Sequence, residues 1–135
     1  LRDMPHETVS VSFDTAPDSG LLGGNDDSDA ASVVPGRNSA FIALAAMRGA
    51  TEVMLGCNAD DHLAYVDCRK QVLLRVGAAC GVSVELPFVE VTKRVIVRIA
   101  KEMRVPLEMT VSCYRGTNCG ECAACVLRAN SEAAQ

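Results

Sequence analysis

Thr51-Glu52-Val53-Met54-Leu55-Gly56 and Val82-Ser83-Val84-Glu85-Leu86-Pro87 decide the fold. Each is a short apolar run of strand length, closed by a residue that punctuates it, Gly56 or Pro87. The segments around them read as helices. Asn38 or Ser39 can cap the first, Phe41, Ile42, Leu44, Ala45 and Ala46 give it an apolar face, and Gly49 can end it. A polar loop, Asn58 to Asp67, follows the first strand. A second helix is expected from about Cys68 to Cys80, with Val72, Leu73 and Val76 inward and Gly81 as its stop. Thr92 can cap a third, in which Val95, Ile96, Ile99 and Met103 recur at helical spacing, with Pro106 beyond its end. The order helix–strand–helix–strand–helix defines an α/β chain with parallel strands joined by helical crossovers. Two or three short strands make a poor sheet, because parallel strands need both faces covered and neighbours at their edges. The missing strands are expected from another polypeptide or from self-pairing.

Ahead of this lies an acidic leader. Residues 1–34 carry seven acids and one base, and residues 35–135 carry ten acids and twelve bases. Val9 and Val11 alternate with serines, which permits a short strand, and Asp14 to Ala31 read as a mobile loop of Asp, Ser, Gly, Ala and Pro. The expected organisation is a leader over 1–32, an α/β part over 33–110 and a cysteine module over 111–135, all within one domain. The charge distribution lacks the concentrated basic face of a nucleic-acid binder. No apolar run is long enough to span a bilayer, and no apolar signal segment opens the chain, so no membrane partner and a cytoplasmic setting are expected. An odd count of seven cysteines also disfavours a disulfide framework.

Four of those cysteines fall in Cys113-x5-Cys119-x2-Cys122-x2-Cys125. Four thiolates close a tetrahedral zinc shell and leave no open position for chemistry. The run Cys119, Cys122, Cys125 also fits part of an iron–sulfur pattern, with Cys113 as fourth ligand, although the downstream Cys-Pro is missing. Gly116 and Gly120 would let the knuckles turn, Arg115 and Arg128 could offset the centre's negative charge, and backbone amides could donate to the sulfurs. Cys57, Cys68 and Cys80 are scattered, and single thiols in apolar stretches are usually core residues. Cys68 stands apart because its neighbours are polar.

Two polar constellations remain. Arg37-Asn38 follows Pro35-Gly36 at an expected strand-to-helix junction, where free helix amides and a guanidinium suit a phosphate or carboxylate. The plainer reading is a helix cap beside a surface arginine. Asn58 to Arg69 holds Asp60, Asp61, His62, Tyr65, Asp67 and Arg69 after a strand. Such groups can recognise a heterocycle with several donors and acceptors, or hold magnesium, or simply face water. His62 has no evident catalytic partner, and no catalytic residue is assigned. The glycines of Gly23-Gly24-Asn25-Asp26-Asp27-Ser28 do not make a phosphate loop, since no apolar strand precedes them and two carboxylates would repel the ligand.

Val34-Pro35-Gly36-Arg37-Asn38, Gly56-Cys57-Asn58-Ala59-Asp60-Asp61, Tyr65-Val66-Asp67-Cys68-Arg69, Thr92-Lys93, Ser112-Cys113-Tyr114 and Cys119-Gly120-Glu121-Cys122-Ala123-Ala124-Cys125-Val126-Leu127-Arg128 occur in this order. Over about residues 33–130 the chain thereby resembles the QueC-type 7-cyano-7-deazaguanine synthases. The resemblance implies a Rossmann-like PP-loop fold of the adenine nucleotide hydrolase-like kind, here incomplete, with a four-cysteine zinc module. It implies ATP-dependent conversion of 7-carboxy-7-deazaguanine and ammonia to the nitrile in queuosine biosynthesis, with Zn²⁺, ATP and Mg²⁺ as cofactors. Cys113, Cys119, Cys122 and Cys125 would hold the zinc, and Arg37, Asn38, Asp60, Tyr65, Asp67 and Arg69 would contact substrate or nucleotide. Family members grasp ATP with Ser-Gly-Gly-x-Asp-Ser, which this sequence lacks. Leu63-Ala64 and Val66 also replace the Ser-Gly and Pro usual in the family's central loop. The chain resembles the later part of a member, with an amino-terminal half supplied by another chain or by a homo-oligomer. The alternative is a non-catalytic, zinc-stabilised module that binds a deazapurine, a nucleotide or a protein.

Overall fold

The computed structural model describes residues 6–11 and 33–133. The leader's Asp14–Ala31 stretch and its glycine cluster lie outside the described residues. Residues 6–11 form no strand, and Val9 and Val11 are exposed, so their alternation does not mark a sheet face.

The elements are α1 (Arg37–Met47), β1 (Glu52–Met54), α2 (Asp61–Ala64), a 3₁₀ turn (Val66–Cys68), α3 (Lys70–Cys80), β2 (Ser83–Glu85), α4 (Lys93–Glu102), a second 3₁₀ turn (Leu107–Met109) and α5 (Ala123–Ala133). The two strands pair in parallel, Glu52 opposite Ser83, Val53 opposite Val84 and Met54 opposite Glu85. The three expected helices and two strands thus appear in order, as an α/β chain with a small parallel sheet, and α2 forms within the stretch expected as a polar loop. The strands are not buried, however. One face, Val53 and Val84, meets the core, while Glu52, Met54, Ser83 and Glu85 on the other are exposed. A parallel sheet with an open face is unusual, because crossover helices normally cover both sides.

The core gathers Ile42, Cys57, Cys68, Leu73, Val82 and Val84. Ile42 and Leu73 are fully buried where α1 packs on α3, and α3 in turn lies on β2. Gly77 makes that last contact possible. A methyl group there would overlap Val84 Cγ2 and come within 3.0 Å of the Val82 carbonyl oxygen. The helix interior accepts the entropic cost of glycine so that helix and strand can approach. On α1, Phe41 is exposed, because the core-facing stripe is narrower than the apolar run. α4 and α5 pack against each other, with Val97 buried. Met103 lies outside α4 and is exposed, so it is no part of the helix's inner face.

Two helix starts differ from expectation. α1 begins at Arg37, behind Gly36 in the left-handed region, so Asn38 sits inside the first turn and does not cap it. Residues 33 and 34 form no strand. Val34 is buried and its carbonyl accepts from the Arg37 N–H at 3.1 Å, closing a turn. Thr92 does occupy the position before α4, but its hydroxyl makes no capping bond.

The end of α4 stores strain. Val105 N–H bonds to Ala100 O at 2.8 Å and Arg104 N–H to Lys101 O at 3.0 Å, which places Arg104 at φ 56°. Glycine normally fills this position, since a side chain there crowds the carbonyl. Arg104→Gly is therefore expected to raise stability by about 0.5–1 kcal/mol, net of glycine's greater unfolded freedom. Thermal melting checks it, and an unchanged or lower midpoint would refute it.

Candidate ligand cleft and metal centre

The loops that leave the carboxyl ends of β1 and β2 lie side by side. Crevices at this end of parallel strands are where open α/β sheets bind ligands. Leu55 N–H still bonds to Glu85 O at 3.0 Å as the first loop departs. Buried Asn58 then folds it. Its Oδ1 accepts from Asp60 N–H and its own N–H donates to Asp61 Oδ2, both at 2.9 Å. Ala59 N–H donates to Val91 O at 2.9 Å, joining this loop to the one after β2.

Two carboxylates cap helices that are remote in sequence. Asp60 Oδ2 accepts the N–H of Lys93, the first residue of α4, at 2.7 Å. Asp67 Oδ2 accepts the Asn38 N–H of α1 at 3.2 Å. Asn38 returns its side-chain amide to Asp67 O at 3.4 Å and Cys68 Sγ at 3.3 Å. A carboxylate at a helix N-terminus satisfies an orphan amide and complements the dipole. Asp60→Ala and Asp67→Ala are each expected to cost about 1–2 kcal/mol. Urea unfolding tests this, and a loss confined to a few tenths would reduce both to surface acids.

Two adjoining cavities open here. One of ≈ 520 Å³ is lined by Asp60, Tyr65 and Lys93, together with Ser112, Tyr114, Ala123 and Ala124 from the cysteine module. The other, ≈ 300 Å³, is lined by Arg37, Asn38, Tyr65 and both Cys57 and Cys68. Four of the six expected pocket residues are thus brought together around Tyr65. Asp67 stands behind them, engaged with α1. Arg69 is directed elsewhere, its Nε donating to His62 O at 3.3 Å, beside a separate hollow shared with Lys70 and Glu90. The Arg37 and Asn38 amides are already bonded, to Val34 O and Asp67, which leaves the Arg37 guanidinium as the group for an anion. Asp61 and Tyr114 also line both cavities and were not singled out as pocket residues. Tyr114 carried a signal, being one of only two tyrosines and adjoining a ligand cysteine.

Cys57 and Cys68, scattered in sequence, meet in the core. A hydrogen bond from Cys68 holds the Cys57 thiol below its ordinary range, and the same bond, aided by burial, pushes Cys68 up. Of the two thiols, Cys68 is therefore the less acidic.

The four module cysteines converge, with all their sulfurs within 4.8 Å of one another. Among the described residues only this group brings three or more potential ligand atoms together. Cys113 Sγ lies 3.7 Å from Cys119 Sγ. Four sulfurs set ~2.3 Å from one ion sit ~3.8 Å apart at the corners of a tetrahedron. The site therefore fits a metal ion. Gly116 and Gly120 take positive φ, 68° and 78°, as tight knuckles require. Cys119 N–H points to Cys113 Sγ at 3.5 Å, and Cys122 N–H to Cys119 Sγ at 3.4 Å. The Cys119 N–H, opposed by burial and aided by those of Thr117 and Arg115, brings Cys113 down to about 5. At Cys125 the Gly120 N–H acts downward, but burial and proton sharing with the other three thiols outweigh it and raise the group to about 12. Arg128 does not spend its donors on the sulfurs. They reach Thr110 O and Leu107 O, both at 2.6 Å, and Glu132 Oε1 at 2.8 Å, tying α5 to the second 3₁₀ turn.

These features define a class: an α/β chain with a cleft at the strands' carboxyl ends, abutting a four-cysteine centre able to hold a metal. The model of the family described as queuosine biosynthesis protein QueC matches residues 15–134, and the chain belongs to the QueC family. Similar curated proteins are named 7-cyano-7-deazaguanine synthase. One from Prochlorococcus marinus (strain NATL2A) is 38% identical over 112 residues, covering 70% of this chain and 50% of that protein. One from Picrophilus torridus is 32% identical over 145 residues, covering 95% and 59%. One from Acidobacterium capsulatum is 40% identical over 108 residues, covering 70% and 47%. The chain spans about half the length of the curated relatives it matches.

No helix among the described residues is long and apolar enough to cross a membrane.

Proposed function

We propose that this chain carries the substrate cleft and metal module of a 7-cyano-7-deazaguanine synthase, and that an amino-terminal half outside these residues completes a Rossmann-like PP-loop fold and supplies the ATP site. The observation that carries this reading is the cleft itself, built from the carboxyl ends of two parallel strands against a four-thiol centre. The open sheet face and the absence of Ser-Gly-Gly-x-Asp-Ser from the sequence support the need for a second half. The metal is zinc, since a single ion fits sulfurs this close, whereas a four-iron cluster would hold them farther apart. Bound by four thiolates it supplies structure alone, with no open coordination position.

The chain's own residues then bind and orient the heterocycle. The Arg37 guanidinium pairs with an anionic group, either the 7-carboxylate or a nucleotide phosphate. Tyr65 gives the heterocycle an aromatic wall, and the remaining carboxylate lone pairs of Asp60 and Asp61 accept from its ring and amino N–H groups. Asp67, Asn38 and Arg69 hold these walls in place. Magnesium would arrive with ATP, whose cleavage activates the carboxylate for ammonia, as a cytoplasmic carbon–nitrogen ligase requires. In this reading residues 33–110 form the α/β part and residues 111–135 the metal module, with both contributing walls to the cleft.

The test is ATP consumption and nitrile formation from 7-carboxy-7-deazaguanine and ammonia, with the chain alone and with candidate amino-terminal halves. Turnover only in the complemented mixture supports the reading. Absence of turnover in every pairing overturns it, and uptake of the deazapurine without ATP consumption would instead assign a binding module.

A further inference from the structure

We infer that Tyr114 is a ligand-positioning residue set by the metal centre, and that with Tyr65 and Gly56 it frames the neck in which a planar aromatic ligand sits. The inference deepens the proposed function and rests on that reading for the ligand's identity.

The neck is where the two cavities join. Gly56, Asp61, Tyr65 and Tyr114 line both, so a ligand spanning the cavities passes between them. Both tyrosines are half-buried, and both line the two cavities. Two rings at a constriction suit a flat heterocycle, because aromatic faces give large contact area at small entropic cost.

Gly56 is glycine for room and not for conformation. Its φ is not positive, and a Cβ there would meet no atom within 4 Å. Backbone and packing alike tolerate a side chain, which would enter the cleft space that Gly56 lines. The residue thus keeps the floor of the neck open for something outside the chain.

Tyr114 is held at two points by the metal ligands. It directly follows Cys113, and its own N–H donates to Cys122 Sγ. On the larger cavity, Ser112 directly precedes Cys113, and Ala123 and Ala124 lie between Cys122 and Cys125. A metal that draws four sulfurs together fixes both the tyrosine and these lining residues. Coupling of this kind is reciprocal, so a cleft ligand should also retain the metal.

Binding of 7-carboxy-7-deazaguanine, measured by calorimetry on zinc-loaded protein, tests the neck. Tyr114→Ala and Gly56→Leu should each keep one zinc per chain and lose about tenfold or more in affinity. The deazapurine should slow zinc loss to a chelator in the parent and not in Tyr114→Ala. Parental affinity in either variant, or zinc loss indifferent to the ligand, overturns the inference. If the parent takes up no deazapurine, the substrate reading fails, and a ligand-free measurement still judges the neck. The chain has two tyrosines and no tryptophan. In zinc-loaded Tyr114→Phe only Tyr65 emits, and the same holds in Tyr114→Ala. Acrylamide should quench Tyr65 more strongly in the alanine variant. Equal quenching would show that Tyr114 does not face Tyr65 across the neck.

Discussion

Stripping the metal from Cys113, Cys119, Cys122 and Cys125 is expected to unfold the module, with loss of the α5 helical signal and of one wall of the cleft. Beyond the packing of α4 on α5 and the Arg128 hydrogen bonds, the region buries little. Cys113, Cys122 and Ser131 are its buried residues, while Val126 and Leu127 are exposed at 44% and 38%. Apolar burial of that size cannot repay the ordering of an eleven-residue helix and its approach loop. A structural zinc contributes ~10–16 kcal/mol in small peptide sites, as much as a whole domain's net stability. The buried ligand Cys122, replaced by Ser, should give the same result as a chelator. Circular dichroism and metal analysis would check both, and a folded α5 without metal would refute the structural role.

The metal's hold should also weaken with acid, and the direction follows from the thiols. Without metal at neutral pH, Cys113, at about 5, is already a thiolate, whereas Cys125, at about 12, keeps its proton. Metal must displace that proton, so affinity rises with pH across this window and falls on acidification. It falls more steeply below about 5, where Cys113 takes up a proton too. Metal uptake at neutral pH should release fewer protons than the four sulfurs would if all began protonated. Calorimetry in buffers of different ionisation enthalpy counts them. Release of four, or none, would contradict the assignment.

Gly77→Val is expected to have the second large effect, about 3 kcal/mol or more, and Gly77→Ala about 1–2 kcal/mol. The alanine methyl gains about 1 kcal/mol in helix propensity but must displace Val84 or the Val82 backbone. Valine adds a branched, helix-averse side chain to the same clash. Since Val84 belongs to β2, whose carboxyl end carries the loop that receives Asp60, the displacement reaches the cleft. Equilibrium unfolding would measure both variants. A neutral alanine variant would mean that α3 can lift from the sheet without loss.

Much of this was legible before any coordinates. Strand-length apolar runs and helical spacing gave the element order, since both periodicities come from backbone geometry alone. The cysteine spacing pointed to the four-thiol cluster, because closely spaced thiols can be brought together by tight local turns. The ordered segments pointed to the family. The sequence also suggested local caps, Asn38 or Ser39 and Thr92; Thr92 does stand at the start of α4, but none of the three makes a side-chain capping bond there. Asp67 and Asp60 reach the same helix ends from other loops, and a carboxylate complements a helix dipole better than a neutral hydroxyl or amide.

Local sequence therefore determined what depends on neighbours along the chain: the main elements, their order and a four-cysteine cluster whose members lie within one short segment. Tertiary structure decided what depends on neighbours in space. It alone brought Cys57 to Cys68, turned Arg69 to His62, brought Tyr114 to the cavities that Tyr65 lines and left one sheet face open. Those outcomes follow from which surfaces pack together, and packing joins residues whose separation along the chain carries no periodic signal.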